Sequence, residues 1–360
     1  MPRRFSIYSA KTAAILVLGS AGLAFTAYAQ ACGEPHGQLG AAAALALPAP
    51  QLEAQSSASL STAQLTSSVV RAYQLWSQEQ PKAAIAILEP LLRAGSRFDD
   101  ARDAGVAWNI LGHSYLDLDR YAEAKQGYQH AIDILRPIAS ARAQYGSALD
   151  SMGMLEVSLG QQDEAKTMCE KARQIYAELG DFAGVASTSI NLAVIALGRN
   201  DFKAARRFLQ TAIQAQPERA MKVDDLAAMD VVKSKLALHV GNGEEAVAMA
   251  QHGIDLWTQA HGPGYFMLSN GYLLRALALV HSGDYVPAIR DAQHALRIVE
   301  AVNGRETVDF LSAKIVYAGI LRASGAKQEG SRMAKEAGNA LADLERRQCT
   351  RCTIDASGFR

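Results

Sequence analysis

The sequence predicts an all-α chain, an α-solenoid of helical hairpins repeating every 40 to 42 residues. Three observations predict it. Alanine occurs 66 times in 360 residues, while Phe, Trp and Tyr together make 7%. That is the composition of closely packed helices, because alanine has the best helix propensity and lets backbones approach. A small residue recurs at Ala84, Ala124, Ala165, Ala205, Ala246, Ala288 and Gly330, in steps of 40, 41, 40, 41, 42 and 42. The residues four and seven further on form a stripe on the same helix face in each unit. They are Leu88, Tyr128, Cys169, Leu209, Ala250, Ala292 and Ala334, then Leu91, Ala131, Ala172, Ala212, Gly253, Ala295 and Ala337.

Residues 1–29 precede the repeats and have the layout of a secretory signal. Arg3, Arg4 and Lys11 make a basic start, Thr12 to Ala27 is apolar, and Ala27-Tyr28-Ala29 offers a small-x-small cleavage site. The apolar run is shorter than the roughly 20 residues a membrane-spanning helix needs. Cleavage is expected after Ala29, which places the mature protein in the periplasm or outside the cell. A competing reading is lipidation, since Ala29-Gln30-Ala31-Cys32 resembles a bacterial lipobox, and membrane association would then follow from Cys32. Residues 30–62 are rich in Ala, Gln, Ser and Pro with almost no charge, the composition of a flexible tether.

Charge excludes several functions. Basic and acidic residues balance at 36 each, and the pI is about 7.1. Removal of residues 1–29 leaves 33 basic against 36 acidic. Neither state attracts nucleic acid through its whole-chain charge.

The repeats occupy residues 63–347. The second unit reads Trp108-x2-Leu111-Gly112-x2-Tyr115, then Tyr121, Ala124, Tyr128 and Ala131, with Pro137 beyond. Leu111, Gly112 and Tyr115 share one face of a first helix, and Gly112 admits the second helix closely. Glycine stands five residues before the small residue at Gly160, Gly241, Gly283 and Gly325, marking the turn inside each hairpin. Bulky residues precede the second helices at Tyr121, Phe202 and Tyr285.

These residues resemble the tetratricopeptide repeat, whose pattern is W-x2-L-G-x2-Y followed by A-x3-F. The period resembles the longer variety of kinesin light chains and many bacterial proteins. So do the segments Ala260-His261-Gly262-Pro263-Gly264 and Val302-Asn303-Gly304-Arg305-Glu306-Thr307, although the His-Pro dipeptide usual there is absent. The resemblance implies a right-handed superhelix with the first helix of each hairpin lining a concave groove.

Groove candidates are therefore Tyr73, Asn109, His113, Asp150, Asn191, Lys235, Asn270, His281 and Arg322. The Lys/Asn/Arg carboxylate clamp of chaperone-binding relatives is not reproduced. Only Asn191 falls at the slot where kinesin light chains carry a groove asparagine; Ile110, Ser151, Val232, Leu274 and Val316 hold it elsewhere. An apolar stretch around Val232, Leu274, Leu277 and Val316 adjoins them, so an extended peptide with apolar anchors is the expected ligand.

Other constellations lead away from catalysis. Gly241-Asn242-Gly243-Glu244-Glu245-Ala246 matches a dinucleotide fingerprint, but it falls on the turn of the fifth repeat with no acid about 20 residues on. His130, His252 and His294 share one repeat slot; packed helices stand about 8–10 Å apart, too far for metal–nitrogen bonds of about 2.0–2.1 Å. Cys169 holds a core slot and is expected to be a buried free thiol. Cys349 and Cys352 form a C-x-x-C in the tail, residues 348–360, where a local disulfide is expected in an oxidising compartment. A redox enzyme using this pair is the rival reading. No metalloprotease, nucleophile-elbow or Walker motif occurs. The expectation is a non-catalytic exported scaffold for a protein or peptide partner, without cofactor, metal or nucleic acid.

Overall fold

The computed structural model describes residues 62–348, except 79, 94–97, 99 and 119. The described residues form fourteen α-helices and no strand. They pair in order as seven hairpins: α1 (Thr62–Ser77) with α2 (Pro81–Arg93), α3 (Ala101–Leu116) with α4 (Tyr121–Leu135), and α5 (Arg142–Ser158) with α6 (Gln162–Glu178). Then come α7 (Phe182–Gly198) with α8 (Phe202–Ala215), α9 (Val223–His239) with α10 (Gly243–His261), α11 (Leu268–His281) with α12 (Tyr285–Asn303), and α13 (Val308–Ala323) with α14 (Lys327–Gln348). Each first helix packs on its own second helix and, from α3 onward, on the second helix before it.

The small-residue slot forms the seam of each hairpin. Ala84, Ala124, Ala165, Ala205, Ala246 and Ala288 are fully buried, and Gly330 is buried too. At the second hairpin two glycines meet. A Cβ on Gly127 would stand 2.9 Å from the Gly112 Cα, and one on Gly112 would meet the Tyr128 ring at 2.6 Å. The backbones of α3 and α4 therefore approach as closely as the absence of side chains permits.

The turn inside the hairpin is a recurring device. Gly160, Gly241, Gly283 and Gly325 all have positive φ, between 73° and 101°. Asn200 takes the same place in the fourth hairpin at φ 57°, a conformation asparagine tolerates better than most residues. The next amide then bonds back five residues, as in Gln161 to Glu156 and Asp284 to Leu279, which satisfies a terminal carbonyl of the first helix. Asp201 and Asn242 cap the helices that follow.

The core is a ribbon along the array. One apolar cluster spans the first three hairpins, a second centres on the fourth, and a third runs from α9 to α14. First helices in the middle are enclosed on nearly every side. In α7 every residue from Gly184 to Leu197 is buried except Asn191. A helix apolar all round is a core helix, and the sequence of α7, FAGVASTSINLAVIALG, is of that kind.

Candidate functional site

The inner face is built by the first helices α1, α3, α5, α7, α9, α11 and α13. One row steps from Asn109 to Asp150, Asn191, Val232, Leu274 and Val316, at intervals of 41 or 42 residues. The row beside it contains His113, Met154, Val194, Lys235, Leu277 and Gly319. Successive first helices stand close enough to cover most of both rows. Val194, Val232 and Leu274 are almost wholly inaccessible, whereas Asn191, Lys235, Leu277 and Gly319 remain partly open. The accessible inner face is a narrow track over α7, α9, α11 and α13.

The N-terminal half of this face holds a polar network that joins one repeat to the next. Trp76 donates its Nε1–H to Asp117 at 2.9 Å and stacks on His113, with ring centroids 4.8 Å apart. His113 lies between the Tyr128 hydroxyl at 2.9 Å and the Ser151 hydroxyl at 3.1 Å. Ser151 donates its one proton to the Ser147 carbonyl, so its oxygen accepts from Nε2–H of His113. The Nδ1 nitrogen then accepts from Tyr128. Burial lowers the His113 pKa to about 3, consistent with this neutral tautomer.

Further along, Asn191 donates to Asp150 at 2.9 Å and Ser187 donates to Asp225 at 2.7 Å. Burial raises the Asp150 carboxyl to about 7; the Cys169 thiol and the Asn191 amide pull it down, and Asp225 adds to the rise. Burial also raises Asp225, against the hydroxyl of Ser187 and the charge of Lys222. Lys235 is the inner cation beyond these acids, and burial lowers its pKa to about 8.

The groove candidates thus divide. Asn109, His113, Asp150 and Asn270 are at most 3% exposed, so their side chains are packing contacts inside the solenoid and not groove surface. The reason is the close approach of successive first helices, which residue spacing alone did not reveal. Tyr73 is half-buried beside Trp76, its pKa raised by burial. Asn191 and Lys235 lie on the open track. His281 and Arg322 are exposed at the ends of α11 and α13, where His281 adjoins Gly243 and Arg322 adjoins Gly330. Cys32, Cys349 and Cys352, with the signal and most of the tether, lie outside the described residues.

The remaining motifs resolve into packing. Cys169 is a buried free thiol. The stretch from Gly241 to Ala246 is the turn after α9 and the first turn of α10, following a helix and not a strand. Each of the three repeat-slot histidines contacts the residue 22 positions earlier: His130 stacks near Trp108, His252 bonds Asp230 at 2.6 Å, and His294 meets Tyr272 edge-on. Among the described residues, no group of three or more His, Cys, Asp and Glu side chains could hold a metal. No described helix is long and apolar enough to cross a membrane. Trp76, Tyr128, Ser151, Ser187 and Asp225 are network residues that sequence reasoning missed; for all but Tyr128, whose partner His113 lies in its own hairpin, separations of 38 to 41 residues from their partners were the available signal.

A tetratricopeptide-repeat family model matches residues 141–218 and another matches residues 106–134, both within the hairpin array. The matches fall on the second, third and fourth hairpins, which are of the tetratricopeptide type. No curated protein matches the sequence. Among solved structures, the chain is similar to the Rap conjugation gene regulator of plasmid pLS20 in complex with the Phr* peptide. That match has a TM-score of 0.63 and 12% identity, and covers 95% of this chain and 98% of that one. The apo form of RapI matches with a TM-score of 0.58 and 13% identity, over 78% of this chain and 99% of the other. Aspartyl phosphate phosphatase F from Bacillus subtilis matches with a TM-score of 0.58 and 15% identity, over 79% and 72%. At such identities these likenesses establish the all-helical hairpin fold and nothing finer.

Proposed function

We propose that this protein is a non-catalytic tetratricopeptide scaffold, of the long-period variety, exported from the cell and gripping an extended peptide segment of a partner. The observation that carries the reading is the open inner track. Asn191, Lys235 and Leu277 stand on three successive first helices and offer an amide, a cation and an aliphatic surface in sequence. An extended chain can bond its backbone to the amide, place a carboxylate near Lys235 and lay an apolar side chain on Leu277. Two proteins of similar fold support it, since one is complexed with the Phr* peptide and another with a competence and sporulation factor.

Export rests on residues 1–29, and a start at Gln30 in the mature protein's mass spectrum would accord with it. A lipidated Cys32 in the same spectrum would instead make the protein a membrane-tethered assembly factor. The function itself is tested by capturing partners from the cell envelope with mature protein and with the Asn191→Ala/Lys235→Ala variant. Loss of the captured protein in the variant is expected. Retention unchanged by these substitutions would remove the inner track as the site.

A further inference from the structure

The loop edge between the second and third hairpins holds a cleft that neither the core nor the inner track uses. The connection from α4 to α5 and the last turns of α6 enclose about 490 Å3. Arg136, Arg142 and Lys171 line it, with Tyr145 and one carboxylate, Glu178. Arg136 pairs with Asp133 at 3.2 Å, and Arg142 pairs with Glu178. Both pairs are solvent-exposed, of the kind that gives way readily to another carboxylate. Lys171 stands 5.5 Å from the Tyr145 ring centroid and has no ion pair among the described residues. Against Asp133 and Glu178 the three cations leave one net positive charge, on Lys171.

In the chain, apolar surface follows Glu178 at once, at Leu179 and Phe182, although neither residue lines the recess itself. Leu179 is 41% exposed and Phe182, the first residue of α7, is 65% exposed. Phe182 occupies, one repeat on, the slot that Arg142 holds at the start of α5. An aromatic ring left mostly in water beside a cationic recess is unfavourable for the isolated protein and favourable once covered.

We propose that this edge is a second docking surface, which takes a protein segment presenting a carboxylate beside a large apolar side chain. The guanidinium of Arg142 is suited to a bidentate carboxylate, and Lys171 supplies a second charge on the same side. Leu179 and Phe182 accept the apolar neighbour. The cations line a recess, which suits a discrete side chain; a bilayer is met by a flat or protruding face.

The test is fluorescence polarisation of the full chain with a fluorescein-labelled acidic octapeptide, GSELFDGS, and its cationic counterpart, GSKLFKGS. The acidic peptide is expected to bind saturably and the cationic one not. Lys171→Glu should weaken binding by about tenfold or more. Phe182→Ser should weaken it several-fold, with an unchanged far-ultraviolet circular dichroism spectrum and melting temperature. Asn191→Ala, on the inner track, should leave it unaltered, so the proposal stands or falls apart from the groove. Equal binding of both peptides, no binding up to millimolar protein, or insensitivity to Lys171→Glu overturns it. So does a sensitivity confined to Asn191→Ala, or binding only to phosphatidylglycerol vesicles.

Discussion

Asn191 donates its amide to the carboxylate of Asp150, 2.9 Å away and 41 residues earlier in the chain. The separation is one repeat, so a step in sequence becomes a contact between the successive first helices α5 and α7. The same relation joins Trp76 to Asp117 across 41 residues, and Ser187 to Asp225 and Ser151 to His113 across 38. Apolar packing holds each hairpin together, and these polar contacts set how one first helix sits on the next.

Asp150 makes this contact dependent on pH. Burial raises its carboxyl to about 7, above the roughly 3.9 of an unfolded aspartate. Between those values unfolding releases a proton, so this group's contribution to stability falls as pH rises from about 4 to about 7. Asp150→Asn keeps an oxygen for the Asn191 amide and removes the titration. The variant should be more stable than the parent by about 1–3 kcal/mol at pH 8, with the difference closing near pH 4. Urea unfolding at several pH values measures it, and a variant less stable at pH 8 would contradict the argument.

His113 pulls in the other direction over an overlapping range. Its folded pKa of about 3 lies below the ordinary 6.5, so protons favour the unfolded chain between those values. Its contribution is intact above pH 6.5 and is lost as pH falls toward 3. His113→Ala leaves Tyr128 and Ser151 without their shared partner and opens a void under Trp76. The expected loss is about 2–4 kcal/mol at pH 7, shrinking as pH falls. Thermal melts at pH 7.5 and pH 5 distinguish this from a void alone, whose effect would not change with pH.

Lys235 shows what the open track demands of the fold. Burial lowers its pKa to about 8, so at neutral pH the ammonium is held where its charge is disfavoured. This penalty is constant below pH 8 and disappears as pH rises from 8 to about 10.5. Lys235→Met should therefore stabilise the protein at pH 7 by about 1–2 kcal/mol, and on the proposed function it should weaken retention of whatever protein the inner track captures. Calorimetry and the capture experiment read the two effects separately. A variant that is destabilised, or that binds as before, would show that Lys235 serves packing.

Periodicity carried most of the fold. The small-residue slots, the turn glycines and the bulky starts of Tyr121 and Phe202 repeat in the chain itself, because each hairpin must solve the same packing problem. The depth of the inner face was not legible in the same way. Whether Asn109 or Asn270 meets solvent depends on how tightly one hairpin rotates onto the next, which spacing does not encode. The cleft at Arg142 was hidden for a related reason: Arg136, Arg142 and Lys171 come from a connection and two helices, and no single periodic face contains them. Gly112 was legible as a point of close approach, but its partner Gly127 was not, since Gly127 lies outside the repeating stripe of Ala124, Tyr128 and Ala131.

That pair gives the clearest test of packing against propensity. A Cβ at Gly127 would stand 2.9 Å from the Gly112 Cα and 3.0 Å from its nitrogen, and backbone atoms cannot rotate away. Gly127→Ala must part α3 from α4, where Ala124 and Tyr128 are fully buried. Helix propensity alone would favour alanine over glycine by about 1 kcal/mol. Overpacking typically costs about 1–3 kcal/mol, so a net destabilisation is expected. Gly338, within α14, has nothing within 4 Å of a built Cβ. Gly338→Ala should therefore show the propensity gain without the clash and raise stability by up to about 1 kcal/mol. Opposite signs for these two substitutions in chemical denaturation are the expected result; two stabilised variants would mean that α3 and α4 stand further apart than Gly112 and Gly127 require.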